Sequence, residues 1–157
     1  MIQSFHRPRF RGYSLTELMV VCVLLSILSL AVFPVAKFTI RRQKEMELRR
    51  SLLMMLQAIY DHKRFSDAGL IPVELGTEGF PAELEVLVEG IELVGTIDRK
   101  QKFLRRIPID PMTGETEWGL RSLQDDFDSE SWGGENVYDV YTLSTGTGLN
   151  GIPYSEW

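Results

Sequence analysis

The sequence predicts an α+β chain: a long N-terminal helix, transmembrane in its front half, packed on a small C-terminal domain with a short antiparallel sheet. Three observations carry that expectation. The first is a charge-free apolar run from Leu18 to Ala36, 19 residues long. At about 1.5 Å per helical residue it reaches roughly 28 Å, close to the roughly 30 Å hydrocarbon core of a bilayer. The second is the stretch from Lys37 to Arg64, which holds no proline or glycine and repeats its apolar residues at helical period. The third is a change after Phe65, where glycine and proline become frequent and short β-branched and aromatic segments follow.

The leader comes first. Arg7, Arg9 and Arg11 precede the apolar run and no acid accompanies them, so the positive-inside bias places the N-terminus in the cytoplasm. Lys37, Arg41, Arg42 and Lys44 follow the run and pull the other way, four bases against three, so charge alone orients the span weakly. A cleaved secretory signal fits poorly, because no A-x-A pattern stands near Phe33-Pro34-Val35-Ala36. A plain anchor fits better but leaves Gly12 and Glu17 without a role. Glu17 is the odd residue. A carboxylate at the head of a membrane helix is costly and needs a partner. Ser14-x-x-Glu17 also has the spacing of a helix capping box.

Behind the membrane run, Leu48, Leu52, Leu56, Ile59 and Tyr60, flanked by Leu53 and Met55, form one apolar stripe. One continuous helix from about Ser14 to Arg64 is expected, roughly 75 Å long. Its bases, Arg41, Arg42, Lys44, Arg49 and Arg50, suit a solvated face or lipid headgroups. They equally suit pairing with the acidic rear of another subunit. Residues 37–64 carry eight bases against three acids, whereas residues 65–157 carry six against eighteen.

In the rear part, Pro81 to Gly90 reads as a short helix with proline in its first turn and glycine past its end, burying Leu84, Leu87 and Val88. Ile91 to Ile97 is β-like, and Arg99 to Arg106 is a basic cluster. Ile107-Pro108-Ile109-Asp110-Pro111-Met112-Thr113-Gly114 is a rigid turn, its prolines fixing φ and Gly114 supplying a permissive backbone. Trp118–Leu123 and Val137–Leu143 read as strands, and Gln124–Gly134 between them as an acidic surface loop.

Several chemistries are excluded. An acidic rear with net charge −5 overall argues against nucleic acid, whose phosphates need clustered Lys and Arg. Cys22 is the sole cysteine and lies in the apolar run, so no intramolecular disulfide forms. His6 and His62 are too few and too separated for a metal or acid–base site. Gly146-x-Gly148-x-x-Gly151 matches a dinucleotide loop, yet too few residues follow for the helix that pyrophosphate binding needs. Asp126-x-Asp128-x-Glu130 mimics the start of a calcium loop, but Ser131 and Val137 stand where glycine and glutamate are required. No enzyme is expected, and no cofactor. Calcium on the 125–130 cluster is the one option left open.

Gly12-Tyr13-Ser14-Leu15-Thr16-Glu17 followed by the apolar run resembles the class III signal of type IV prepilins and type II secretion pseudopilins. The resemblance implies cleavage between Gly12 and Tyr13 by a prepilin peptidase, and N-methylation of Tyr13, where most members have phenylalanine. It also implies that Glu17 pairs with the Tyr13 ammonium of a neighbouring subunit and so fixes the axial register of a filament. Pro34 falls where many members carry a proline, and its lost hydrogen bond gives their helix bend a cause. Ile107-Pro108-x-Asp110-Pro111, the Tyr138–Ser144 strand and the final Trp157 resemble the major pseudopilin of type II secretion in particular.

That family implies a leader over residues 1–12, a long helix over 13–64 with its span at 18–36, and a head over 65–157. It implies an inner-membrane subunit with a periplasmic head that polymerises with itself, with other pseudopilins and with the secretion platform. A type IV pilus subunit is the alternative, and a membrane-anchored binding domain a lesser one. The family binds calcium on an acidic C-terminal loop, but the corresponding Thr145–Glu156 stretch has no aspartate and only one glutamate, so those ligands have no residues to land on.

Overall fold

The computed structural model describes residues 12–96 and 99–157, with backbone alone at 31–34. The arginines of the leader, His6 and Ile97 lie outside the described residues. One helix, α1, runs unbroken from Leu15 to Asp67. The chain divides into a front unit ending at Ile40 and a rear unit, Arg41–Trp157.

In the front unit the side chains of residues 12–30 and 35–40 are all exposed. Three hydroxyls within this stretch are satisfied locally: Ser26 Oγ donates to Cys22 O, Ser29 Oγ to Leu25 O and Thr39 Oγ1 to Val35 O, at 2.8–2.9 Å. Back-bonding of this kind pairs these three donors within the helix, as an apolar environment requires of polar groups. α1 is the one helix among the described residues long and apolar enough to cross a membrane.

In the rear unit α1 supplies the spine of the core. Leu48, Leu52, Met55, Ala58 and Ile59 are buried, a 4-3-3-1 spacing that keeps one face inward. The stripe differs at its edges from the sequence reading. Tyr60 is about half exposed and Leu53 two-thirds exposed, while Met55 lies at its centre. Around this spine pack Phe80, Leu84, Leu87, Leu104, Trp118, Val137, Val140 and Tyr154.

The short helix, α2, spans Leu84–Glu89. It starts three residues later than the proline predicts, because Glu83 is still extended (φ −143°, ψ 158°). Gly90 ends it at φ 83°, its N–H returning to Val86 O, as a glycine stop requires.

The strands are shorter than their sequence signals. β1 (Ile91–Glu92) pairs antiparallel with β2 (Lys100–Gln101), so part of the basic cluster is strand. β3 (Gly119–Arg121) pairs antiparallel with β4 (Asp139–Tyr141), with Gly119 opposite Tyr141 and Arg121 opposite Asp139. Two-stranded ribbons this short are marginal alone. Side chains make up the difference. Asp110, fully buried, accepts Met112 N–H at 2.7 Å and the Thr142 hydroxyl, while Trp118 Nε1 donates to Pro108 O at 2.9 Å. The Ile107–Gly114 turn is thereby fastened to the end of β4.

Candidate functional site

Gly12, Tyr13 and Ser14 precede α1 without regular secondary structure and are exposed, Tyr13 at 83 %. Nothing lies within 4 Å of the place a Gly12 Cβ would occupy. The helix begins with Leu18 N–H donating to Ser14 O at 3.0 Å. Ser14 Oγ pairs with Thr16 Oγ1 at 2.8 Å. The capping box read from Ser14 and Glu17 is therefore not made, and the Glu17 carboxylate is left over. It is exposed in the first turn of α1, where the positive end of the helix dipole favours an acid. No salt bridge holds it among the described residues.

Directly behind Glu17 comes a continuous apolar surface: Leu18, Met19, Val20, Leu24, Leu25 and Leu28 are each more than half exposed. An apolar area this large demands cover by lipid or by protein. α1 continues through Pro34, whose ring lies outside the described residues. Among the described residues, then, an exposed Gly12–Ser14 lead, a carboxylate without a salt-bridge partner and an exposed apolar stretch of α1 follow one another directly.

The rear unit carries two polar clamps that sequence reasoning missed. Glu45 is 8 % exposed, and its Oε1 accepts Leu149 N–H at 2.8 Å and Tyr154 O–H at 2.9 Å. Arg41 stands beside it at 3.6 Å and donates to Tyr154 Oη and Thr147 O. These bonds fasten the glycine-rich tail to α1. A signal existed in the sequence, since Glu45 precedes Leu48 and Leu52 by three and seven residues, on the buried stripe itself. The Gly146–Gly151 motif accordingly folds as a tight turn, with Gly148 N–H bonded to Ile152 O and Thr147 bridged to Pro153. A Cβ on Gly146 would meet the Tyr154 ring at 2.9 Å, so that glycine makes room for an aromatic side chain and not for a phosphate.

The second clamp is Arg121, 8 % exposed. Its guanidinium donates to Ser129 O at 2.8 Å, Asp139 Oδ2 at 3.2 Å and Ser155 O at 3.4 Å, and lies 4.1 Å over the Tyr141 ring. Loop, strand and C-terminal tail are drawn together by this cation. The carboxylates of the 125–130 stretch are not gathered for a metal, and no group of three His, Cys, Asp or Glu side chains among the described residues could hold one. Asp125 is instead occupied by the N–H groups of Ser122 (2.7 Å) and Gly133 (3.1 Å), which hold its pKa below the usual carboxylate value. The donor set thus does not fit calcium. No signal in the sequence marked Arg121, because its role depends on the β3–β4 register.

His62 is buried with Nδ1 3.1 Å from Gly79 O and its ring edge-on to Phe103. Burial lowers its pKa, against smaller opposing effects from the Gly79 carbonyl and Glu74. It is a core residue that pins the Gly79 turn to α1.

Residues 7–33 match the model of the prokaryotic N-terminal methylation motif. The match begins in the basic leader, crosses Gly12 and Glu17 and ends within the apolar run. It supports a prepilin-type, type IV pilin-like chain, in keeping with the α+β layout of a long N-terminal helix and a small antiparallel head. No curated protein and no solved structure matches the chain.

Proposed function

We propose that this chain is a structural subunit of a type II secretion pseudopilus, cut between Gly12 and Tyr13 by a prepilin peptidase, methylated on Tyr13 and polymerised to drive protein export across the outer membrane. The observation that carries this reading is the N-terminal methylation motif laid over exposed Gly12 and Tyr13 and an apolar stretch of α1 whose described side chains are exposed. Before assembly the helix is a single-pass membrane anchor with the head in the periplasm. After assembly the same apolar surface is covered by other subunits. Glu17 then lies among apolar side chains, where a charge is tolerable only when paired, and the Tyr13 ammonium of the next subunit is that pair. Pro34 supplies a bend for the helix to adapt between bilayer and filament. The Ile107–Pro111 turn and the Tyr138–Ser144 segment are the residues on which the secretion-type subunit is preferred to a pilus subunit, and the secretion platform and other pseudopilins are its further partners.

Mass analysis of the N-terminus of membrane-extracted protein tests the processing step. The expected terminus is N-methylated Tyr13, and an intact Met1 would overturn the reading. Deletion of the gene separates the two filament types: export of secreted proteins is lost for a pseudopilin, whereas surface pili are lost for a pilus subunit.

A further inference from the structure

Two surfaces of the rear unit have no role in the N-terminal machinery. The first is a groove of about 540 Å³ between α1 and the Arg106–Ile109 segment. Met46, Met54, Pro108 and Ile109 give it apolar walls, and both methionines and Ile109 are exposed. Arg50 and Arg106 line it as cations, with Glu47 as the acid beside them. Among the described residues no carboxylate pairs with either arginine.

The second surface is the tip of the loop between β3 and β4. Phe127 is 90 % exposed there, between Asp126 and Asp128. The tip is braced. Ser129 N–H returns to Asp126 O at 2.9 Å, Arg121 holds Ser129 O, and Tyr141 O–H holds Glu130 O at 3.1 Å. A large aromatic side chain held out on a rigid turn loses little freedom when it docks. Neither Asp126 nor Asp128 has a cation partner among the described residues.

One chain cannot join the two surfaces. Arg49, Leu52, Leu53 and Leu56 of α1 line a second groove with Glu156 and Trp157, and those two residues also line the hollow beside Phe127. At about 100° per residue, the α1 residues of the two grooves are centred roughly 140° apart. The loop therefore lies on the flank of α1 away from the methionine groove.

We propose that the Phe127 tip of one copy docks in the Met46–Met54 groove of the next. Phe127 contacts the methionine thioethers, a favourable sulfur–aromatic pairing, and Asp126 and Asp128 face Arg50 and Arg106. The charge complementarity sets orientation and register. The groove is well within the size that takes one aromatic side chain and its neighbours. Because the two patches differ, the contact is heterologous, and repetition of it builds an open filament instead of a closed dimer. The inference rests on the filament reading and names a head-to-head-neighbour contact within it.

Cysteine cross-linking in the full-length chain tests it. In a Cys22→Ser background, Met54→Cys and Phe127→Cys together should give a ladder of oxidised multimers from membranes, and each alone dimers at most. Arg50→Glu with Arg106→Glu should abolish the ladder, and adding Asp126→Lys with Asp128→Lys to the same chain should restore it. That rescue also shows that the variants fold. Sedimentable filaments from an Arg50→Glu, Arg106→Glu chain that keeps Met54 and Phe127 would overturn the docking and leave the filament reading standing. Absence of filaments from the chain with all of these residues intact, folded in its membrane, would overturn the two together.

Discussion

The front and rear units handle apolar surface in opposite ways. Up to Ile40 the described side chains bury nothing against their own chain, whereas from Arg41 onward Leu48, Met55, Ile59, Leu87 and Val137 are fully sealed. The front unit leaves its apolar surface for something outside its own chain to cover, which the proposed function assigns first to lipid and then to other copies. The rear unit completes itself, but with strands of two or three residues it cannot do so by ladder hydrogen bonds alone. Glu45, Asp110 and Arg121 supply the missing bonds, each joining segments far apart in sequence. Assembly and folding should therefore be separable by mutation.

The sharpest break is Glu17→Val. It should abolish filament formation while leaving the thermal unfolding of the detergent-solubilised head unchanged. Removing one member of a charge pair buried among apolar helices costs about 3–5 kcal/mol per contact, enough to stop polymerisation. Sedimentation of membrane-derived filaments, with near-UV circular dichroism as the folding control, reads both halves. Efficient assembly by this variant would show that the carboxylate sets no register.

Gly119→Ala should do the reverse. A Cβ there falls on the Tyr141 ring across the β3–β4 pair. Overpacking of that order costs about 3 kcal/mol and lowers the unfolding midpoint by roughly 10 °C, with membrane insertion unaffected. Smaller again is Glu45→Ala. It strands Leu149 N–H and Tyr154 O–H at a cost of about 2 kcal/mol and frees the tail. Faster proteolysis within residues 145–152, ahead of global unfolding, is the expected readout. Unchanged cleavage there would mean that the tail is held by Tyr154 and Trp157 packing alone.

The smallest effect is pH dependence through His62. Its folded pKa lies below the unfolded value of about 6.5, so the unfolded chain binds the proton more readily. Stability of the rear unit is then constant above that value and falls as pH drops through it, levelling once the depressed folded pKa is passed. His62→Gln should flatten the dependence in midpoint measurements between pH 7.5 and 5. The front unit contains no histidine between Gly12 and Ile40, so anchoring should not follow the same curve.

The difference between the units also explains how much was legible. The front unit reads directly because lipid imposes a length and a composition on any helix that crosses it, and Gly12 and Glu17 stand out against that uniform background. The α1 stripe and α2 were legible through period, with Tyr60 misplaced because period alone cannot tell the edge of a stripe from its centre. Strand ends were not legible. Val137 and Tyr138 carry strong strand signals yet lie before β4, since a residue becomes strand only when a partner stands opposite. The arrangement of the acidic loop was illegible for a similar reason: its four carboxylates are near in sequence, yet no three of them gather, and Asp125 Oδ2 accepts from the N–H groups of Ser122 and Gly133.

By itself, then, the amino-acid order determined the apolar run, the continuous helix and the acid at its head. Each of these rests on local geometry or on transfer from water, which neighbours in sequence settle. Only the tertiary structure decided that Glu45 faces inward to hold the tail, that a guanidinium gathers the oxygens of loop, strand and C-terminus, and that Phe127 and the methionine groove occupy opposite flanks of α1. Those depend on which distant segments meet, and chain distance does not encode that.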